Sequence, residues 1–299
     1  MRRKLVDRAI PSSDDDADVE SRSAETKELI PSARALLWIA GGLVFIAGLQ
    51  LFVFSTRTER LFAWTIDVPL TAAFLGAGYW ASVAFEWLAA RERTWANARV
   101  ALPTVFLFTV LTLVATLVHL DLFHLDGSFP TSARMAAWGW LAIYVVVPLA
   151  MAIILVMHLR APGVDPERSR PLPSPLRIAL AAQAIVMIAL GAYLFLSPGR
   201  AGSMWPWPLT PLTGRAVGAW VVSIGSAAVQ VVWDNDGRRA RVAGVAYLLL
   251  GLLELVAVAR YPETVAWEEP QAPLYVAFLA SMMVAGTAIL RSEGSTVPR

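Results

Sequence analysis

The sequence predicts an all-α membrane protein whose eight transmembrane helices form two parallel four-helix repeats. Three observations lead there. The 299 residues are 57% hydrophobic and only 16% charged, with a mean hydropathy of +0.57, and a soluble domain of that length would leave much of this apolar surface in water. Apolar segments of bilayer-spanning length recur along the chain. The chain also matches itself without gaps over a long stretch at an offset of 142 positions.

Residues 1–33 are polar, with a basic start (Arg2, Arg3, Lys4, Arg8), an acidic run from Asp14 to Glu20 and prolines at Pro11 and Pro31, and read as a disordered cytoplasmic tail. No apolar stretch follows the basic residues before residue 35, so a cleavable signal peptide is not expected. Apolar segments then fall near 35–55, 68–90, 98–120, 135–158, 176–197, 212–233, 241–259 and 272–290. The seventh is the shortest and carries Glu254, which leaves a seven-helix chain as the alternative count. The first four make a repeat over 34–160, joined by a proline- and arginine-rich cytoplasmic linker (161–175) to a second repeat over 176–291 and a short cytoplasmic tail (292–299).

Charge sets the expected orientation. Nineteen of the 25 lysines and arginines fall in segments on the side of the N-terminus, so both termini are expected in the cytoplasm. An odd number of helices would scramble this alternation. Trp64, Trp138, Trp140, Trp205, Trp207 and Trp267 fall at the expected outer interface, and Trp38, Trp87, Trp95 and Trp233 near the inner one, as an aromatic belt would place them.

At the 142-residue offset Pro69-Leu70-Thr71 meets Pro211-Leu212-Thr213, Gly76-Ala77 meets Gly218-Ala219, and Ala98-Arg99-Val100-Ala101 meets Ala240-Arg241-Val242-Ala243. About sixteen identities lie between 44 and 115, roughly twice what shared apolar composition gives. Four helices per copy is an even number, so the copies share one orientation about an axis along the membrane normal. The second helix of each copy begins with a proline, suited to a first turn, and carries small residues four apart: Ala72 and Gly76, then Gly214 and Gly218. That spacing admits close backbone approach and predicts that helices 2 and 6 are central.

Few residues carry chemistry. Glu254 and Arg215 match in depth, so they are expected to pair, either as a structural ion pair or as a substrate or coupling-ion site; Glu86 lies near the inner end of helix 2, where it can snorkel. His119, Asp121, His124 and Asp126 close helix 3 at the outer face, a set that suits a divalent metal such as zinc only if the helix ends within the stretch. An ordinary polar loop is the competing reading. No cofactor is predicted beyond that metal option. The absence of cysteine removes disulfides, thiolate metal sites and cysteine nucleophiles, and His158 lies at the opposite end of the bundle, so one chain offers no paired histidines for a haem. Phosphate-binding glycine loops, the nucleophile elbow and the HExxH metal motif are missing. A net charge of +2 gives no footprint for nucleic acid; the expected partners are the bilayer and, in a homo-oligomer, further copies of the chain.

The stretches Phe62 to Ala81, Val118 to Asp126 and Trp205 to Trp220 together resemble a family of polytopic inner-membrane proteins of high-GC bacteria such as actinobacteria, for which no activity is known. The resemblance implies an inner-membrane protein and assigns no site residue. Parallel repeats favour a transporter or permease for a small solute or lipid. A structural or assembly protein without catalytic activity is the alternative, and a membrane enzyme or redox subunit using the outer His/Asp set is a further one.

Overall fold

The computed structural model describes residues 26–294. The basic and acidic runs of the N-terminal tail, and residues 295–299, lie outside them. Eight long helices make up the described chain: α1 (Pro31–Gly48), α2 (Pro69–Arg91), α3 (Ala101–Val118), α4 (Thr131–Arg160), α5 (Ser174–Leu196), α6 (Pro211–Asp234), α7 (Gly237–Arg260) and α8 (Gln271–Gly294). The described residues form no extended strand, only isolated bridges. Seven of these helices are long and apolar enough to cross a membrane, and the chain is an all-α membrane protein.

The helix that falls short in apolar character is α2, not the seventh, which is a full 24 residues long. Position explains the composition. Fifteen of the 23 residues of α2 are buried, so alanine, glycine, tyrosine, serine and a glutamate replace the leucine and isoleucine that lipid would demand. At the other extreme stands α4, buried along the single stripe Ala133, Ala137, Trp140, Tyr144, Pro148 and Met151, with Met135, Trp138, Val146, Leu149 and Ile153 exposed on its outer side. Those apolar side chains suit lipid, and the spacing of three and four is that of one helix face.

Helix starts follow local chemistry. Pro31, Pro69 and Pro211 occupy first turns, where the missing amide costs nothing. Thr210 and Thr213 form a capping box on α6, and Asp236 caps α7 through the amides of Arg238 and Arg239. Asn235, at φ 46°, makes the left-handed turn between α6 and α7. Just before α1, residues 26–30 run alongside neighbouring segments: Lys27 N–H reaches Val164 O and Leu29 N–H reaches Arg93 O.

Packing joins α1 to α2, α3 to α4, α5 to α6 and α7 to α8. Two further contacts interlock the halves, α2 against α7 and α3 against α6. The centre therefore holds α2, α3, α6 and α7. Close approach depends on glycine: a Cβ on Gly76 would overlap the backbone of Phe52, in the π-helical turn Leu49–Val53 that ends α1, and one on Gly218 would sit 2.7 Å from Gly191 O and 2.8 Å from Phe195 N. Gly214 lies against Pro198, and Ala72 is fully buried.

The aromatic belt is corrected by the structure. Trp64, Trp95, Trp140, Trp205 and Trp207 are buried, while Trp38, Trp138, Trp233 and Trp267 are exposed. The loops at the far end, opposite the start of α1, fold inward over the helices: His124 N–H bonds Ala63 O, Ala266 N–H bonds Pro206 O, and the indoles beneath pack edge to face, Trp64 with Trp140 and Trp205 with Trp207.

Candidate functional site

The four central helices enclose a cavity with about 100 Å³ of free volume. Gly78, Ser82 and Glu86 of α2 face it at a spacing of four, which places them on one stripe of that helix. Opposite stand Phe108 of α3, Trp220 and Ser223 of α6, Tyr247 of α7 and Tyr144 of α4. The wall is mostly apolar and aromatic, and Glu86 is the only carboxylate among the described residues that line it.

Glu86 is 1% exposed, and its Oε2 has no hydrogen-bond partner. Its expected snorkelling is corrected: α2 is enclosed by α1 and α7, so the side chain near its end meets neighbouring helices and not headgroups. The nearby hydroxyls are committed elsewhere. Tyr79 and Tyr144 bond each other at 2.7 Å, and the Tyr247 hydroxyl donates to Gln183 Oε1 at 3.1 Å. Ring contacts tighten the wall, with Phe108 and Trp220 centroids 4.0 Å apart and Tyr79 meeting Trp220 edge-on at 5.1 Å.

A second cavity, of about 530 Å³, lies toward the far end between α5, α6, α7 and α8. Glu254 lines it at 1% exposure, with Oε2 accepting from Tyr275 at 3.3 Å and Oε1 without a partner. Ile224 and Leu250 line both cavities and form the partition between them.

The expected Arg215–Glu254 pair is corrected as well. Arg215 Nη1 donates to His119 Nε2 at 2.7 Å and to Pro211 O at 3.4 Å, whereas Glu254 has Tyr275. Similar depth along two helices did not make them face each other. Burial, and then the adjacent guanidinium, hold His119 below the usual imidazole range.

The outer quartet does not converge. His119 faces the Arg215 cation, while His124 is buried with Nδ1–H donating to Phe62 O at 3.0 Å and Nε2 at 3.0 Å from Thr65 Oγ1. Asp121 and Asp126 are exposed. Asp126 accepts from Ser128, whose hydroxyl and amide hold the carboxyl below its usual range. No group of three or more His, Asp or Glu able to hold a metal occurs among the described residues. The helix does end at the start of the stretch, as convergence requires, but the chain then tucks His124 under the neighbouring loop and leaves both aspartates at the surface.

The sequence reading missed a polar network at the near end, the face from which α1 starts. Arg99 bonds Asp165 at 2.8 Å and also Asp234, which lies 3.7 Å from Arg239. Arg241 lies 3.8 Å from Glu92. Asp236 accepts from the amides of Ser169, Arg170, Arg238 and Arg239, so the linker is tied to the start of α7; burial raises its carboxyl, but those four amides outweigh it and hold the group below its usual range. Acidic residues at 92 and 234, also 142 positions apart, were the signal that could have found it. No family model, curated protein or solved structure matches this chain.

Proposed function

We propose that this chain is a permease for a small solute, with the central cavity as its binding site. The observation that carries the reading is Glu86: a buried carboxylate, without a hydrogen bond at Oε2, in a cavity built by helices from both halves. An ionisable group inside a membrane bundle costs several kcal/mol, and such groups mark solute and ion pathways. The small free volume favours a small solute over a lipid.

In this reading all eight helices span a bacterial inner membrane, with the near end cytoplasmic as the arginine bias requires. The two halves are copies related by a twofold axis along the membrane normal. Helix pairing supports this, since a shift of 142 residues carries α1/α2 onto α5/α6, α3/α4 onto α7/α8, and α2/α7 onto α6/α3. Rocking of one half against the other would then expose the shared cavity to each side in turn.

The chain contains no cysteine, so single cysteines test this without a known substrate. Ser82→Cys, in the cavity wall, is expected to react with a membrane-impermeant thiol reagent from both faces of sealed vesicles. Modification from neither face, or from one only, overturns the permease reading.

A further inference from the structure

Resting on the permease reading, we propose that the solute is a small organic monocation, a quaternary or tertiary amine, held by Glu86 and the surrounding aromatic rings. The argument begins with charge. Among the described residues lining the cavity there is one acid and no lysine, arginine or histidine. The titratable groups near Glu86 are tyrosines: Tyr79 on its own helix, Tyr144 on α4 and Tyr247 on α7. The wall residues from α1, α3, α5, α6 and α8 carry no charge: Val44, Thr104, Leu180, Trp220 and Ile289 are representative. A carboxylate so placed is stable only when it carries a proton or faces a cation.

Wall chemistry then selects the kind of cation. A metal ion needs several oxygen ligands gathered at one point, and the wall offers one carboxylate and neutral hydroxyls spread over several helices, most of them already in hydrogen bonds. Thr104 Oγ1 accepts from Gln230, and the Thr109 and Ser223 hydroxyls donate to carbonyls of their own helices. The rest of the wall is aliphatic and aromatic, with the rings of Phe85, Phe108, Trp220 and the two tyrosines. Ring faces attract alkylated ammonium ions, which shed water easily and need no hydrogen-bond acceptor. Size sets a limit: the cavity has about 100 Å³, less than the dry cavity of about 150 Å³ that admits benzene. Only the smallest alkylated ammonium ions are therefore candidates, and the wall must yield slightly to take them. A proton and the amine would compete for Glu86, so loading the cation sends one proton from the carboxyl to water.

The test is equilibrium binding of radiolabelled tetramethylammonium to the purified full-length protein in detergent, with neopentanol as the uncharged competitor of similar shape. Saturable binding that tetramethylammonium displaces and neopentanol does not is expected. Glu86→Gln should weaken it at least tenfold, and Trp220→Leu about fivefold by removing a ring face, with both variants monodisperse and cooperatively folded at the assay temperature. If Glu86→Gln fails to fold, Trp220→Leu together with the neopentanol comparison decides. Absence of binding to the unsubstituted protein, equal displacement by neopentanol, or undiminished binding in a folded Glu86→Gln variant overturns the proposal. Two-sided labelling of Ser82→Cys without tetramethylammonium binding refutes the amine and leaves the permease standing. Glu86-dependent binding without two-sided labelling supports the amine and refutes transport.

Discussion

Arg99 pairs with Asp234, and the same contact recurs 142 positions on, with Arg241 facing Glu92. Each pair joins the start of one central helix to the end of another from the opposite half. The two are unequal in burial: side-chain exposure is 7% at Asp234 and 25% at Arg99, but 20% at Glu92 and 37% at Arg241. Electrostatic attraction is screened least where water is excluded, so these twin contacts differ in energetic weight.

Removing Asp234 is therefore expected to destabilise more than removing Glu92. Asp234→Ala removes a buried partner of Arg99 and Arg239, which keep Asp165 and Pro166 O respectively, and should cost about 1–3 kcal/mol, whereas Glu92→Ala should cost less than about 1 kcal/mol. Thermal unfolding in detergent checks the ranking, and equal losses would contradict it.

At Gly76 a methyl group has nowhere to go, because the backbone of the π-helical turn touches the glycine. Gly76→Ala should cost about 1–3 kcal/mol through overpacking. Gly42 faces open space, and Gly42→Ala should be neutral or stabilise by about 0.5–1 kcal/mol. Melting temperatures of the two variants, measured side by side, decide whether close approach or glycine content governs α1.

His119 gives the protein a stability term that depends on pH. Burial and Arg215 hold its folded form below the usual imidazole range. As the pH falls the unfolded chain takes up this proton first, so the contribution is complete above about pH 6.5 and lost below it. Melting temperatures between pH 7.5 and pH 5 should fall more steeply for the unsubstituted protein than for His119→Gln; parallel curves would count against the assignment.

Glu254 and Arg215 have separate partners, so their removal should be independent. The losses from Glu254→Gln and Arg215→Ala should add to within about 0.5 kcal/mol in the double variant. A coupling above about 1 kcal/mol would show that the two side chains interact.

Much of the fold was legible because hydrophobic length is a property of contiguous sequence. The boundaries expected for the eight apolar segments differ from the observed helices by only a few residues, and the small residues of α2 and α6 pointed to central positions, although the low apolar character of α2 went unread. Position along the chain was legible. Rotation about the helix axis was not, because lipid and protein interior are both apolar and leave little periodic contrast to read. That is why Arg215 and Glu254 were paired by depth, why Glu86 was placed at a headgroup surface, and why five buried tryptophans were assigned to an interface. The His119 to Asp126 set failed for a different reason, since the helix ended where convergence required it but the two histidines took separate partners in Arg215 and the Phe62 carbonyl. The match of Arg99 with Arg241 was visible, but their acidic partners lie in separate segments, and pairing across the halves needed the tertiary contacts.

The interlocking of α2 with α7 and α3 with α6 has a consequence for biogenesis. A ribosome that has finished α4 must still make about 100 residues before α7 is complete, an interval on the order of 5–20 s. During that time α2 and α3 lack the surfaces that will cover them, and Glu86 lacks its finished chamber. The first half therefore waits in the bilayer as an incomplete structure, which makes the membrane insertion machinery, or a chaperone beside it, the natural custodian of the nascent chain.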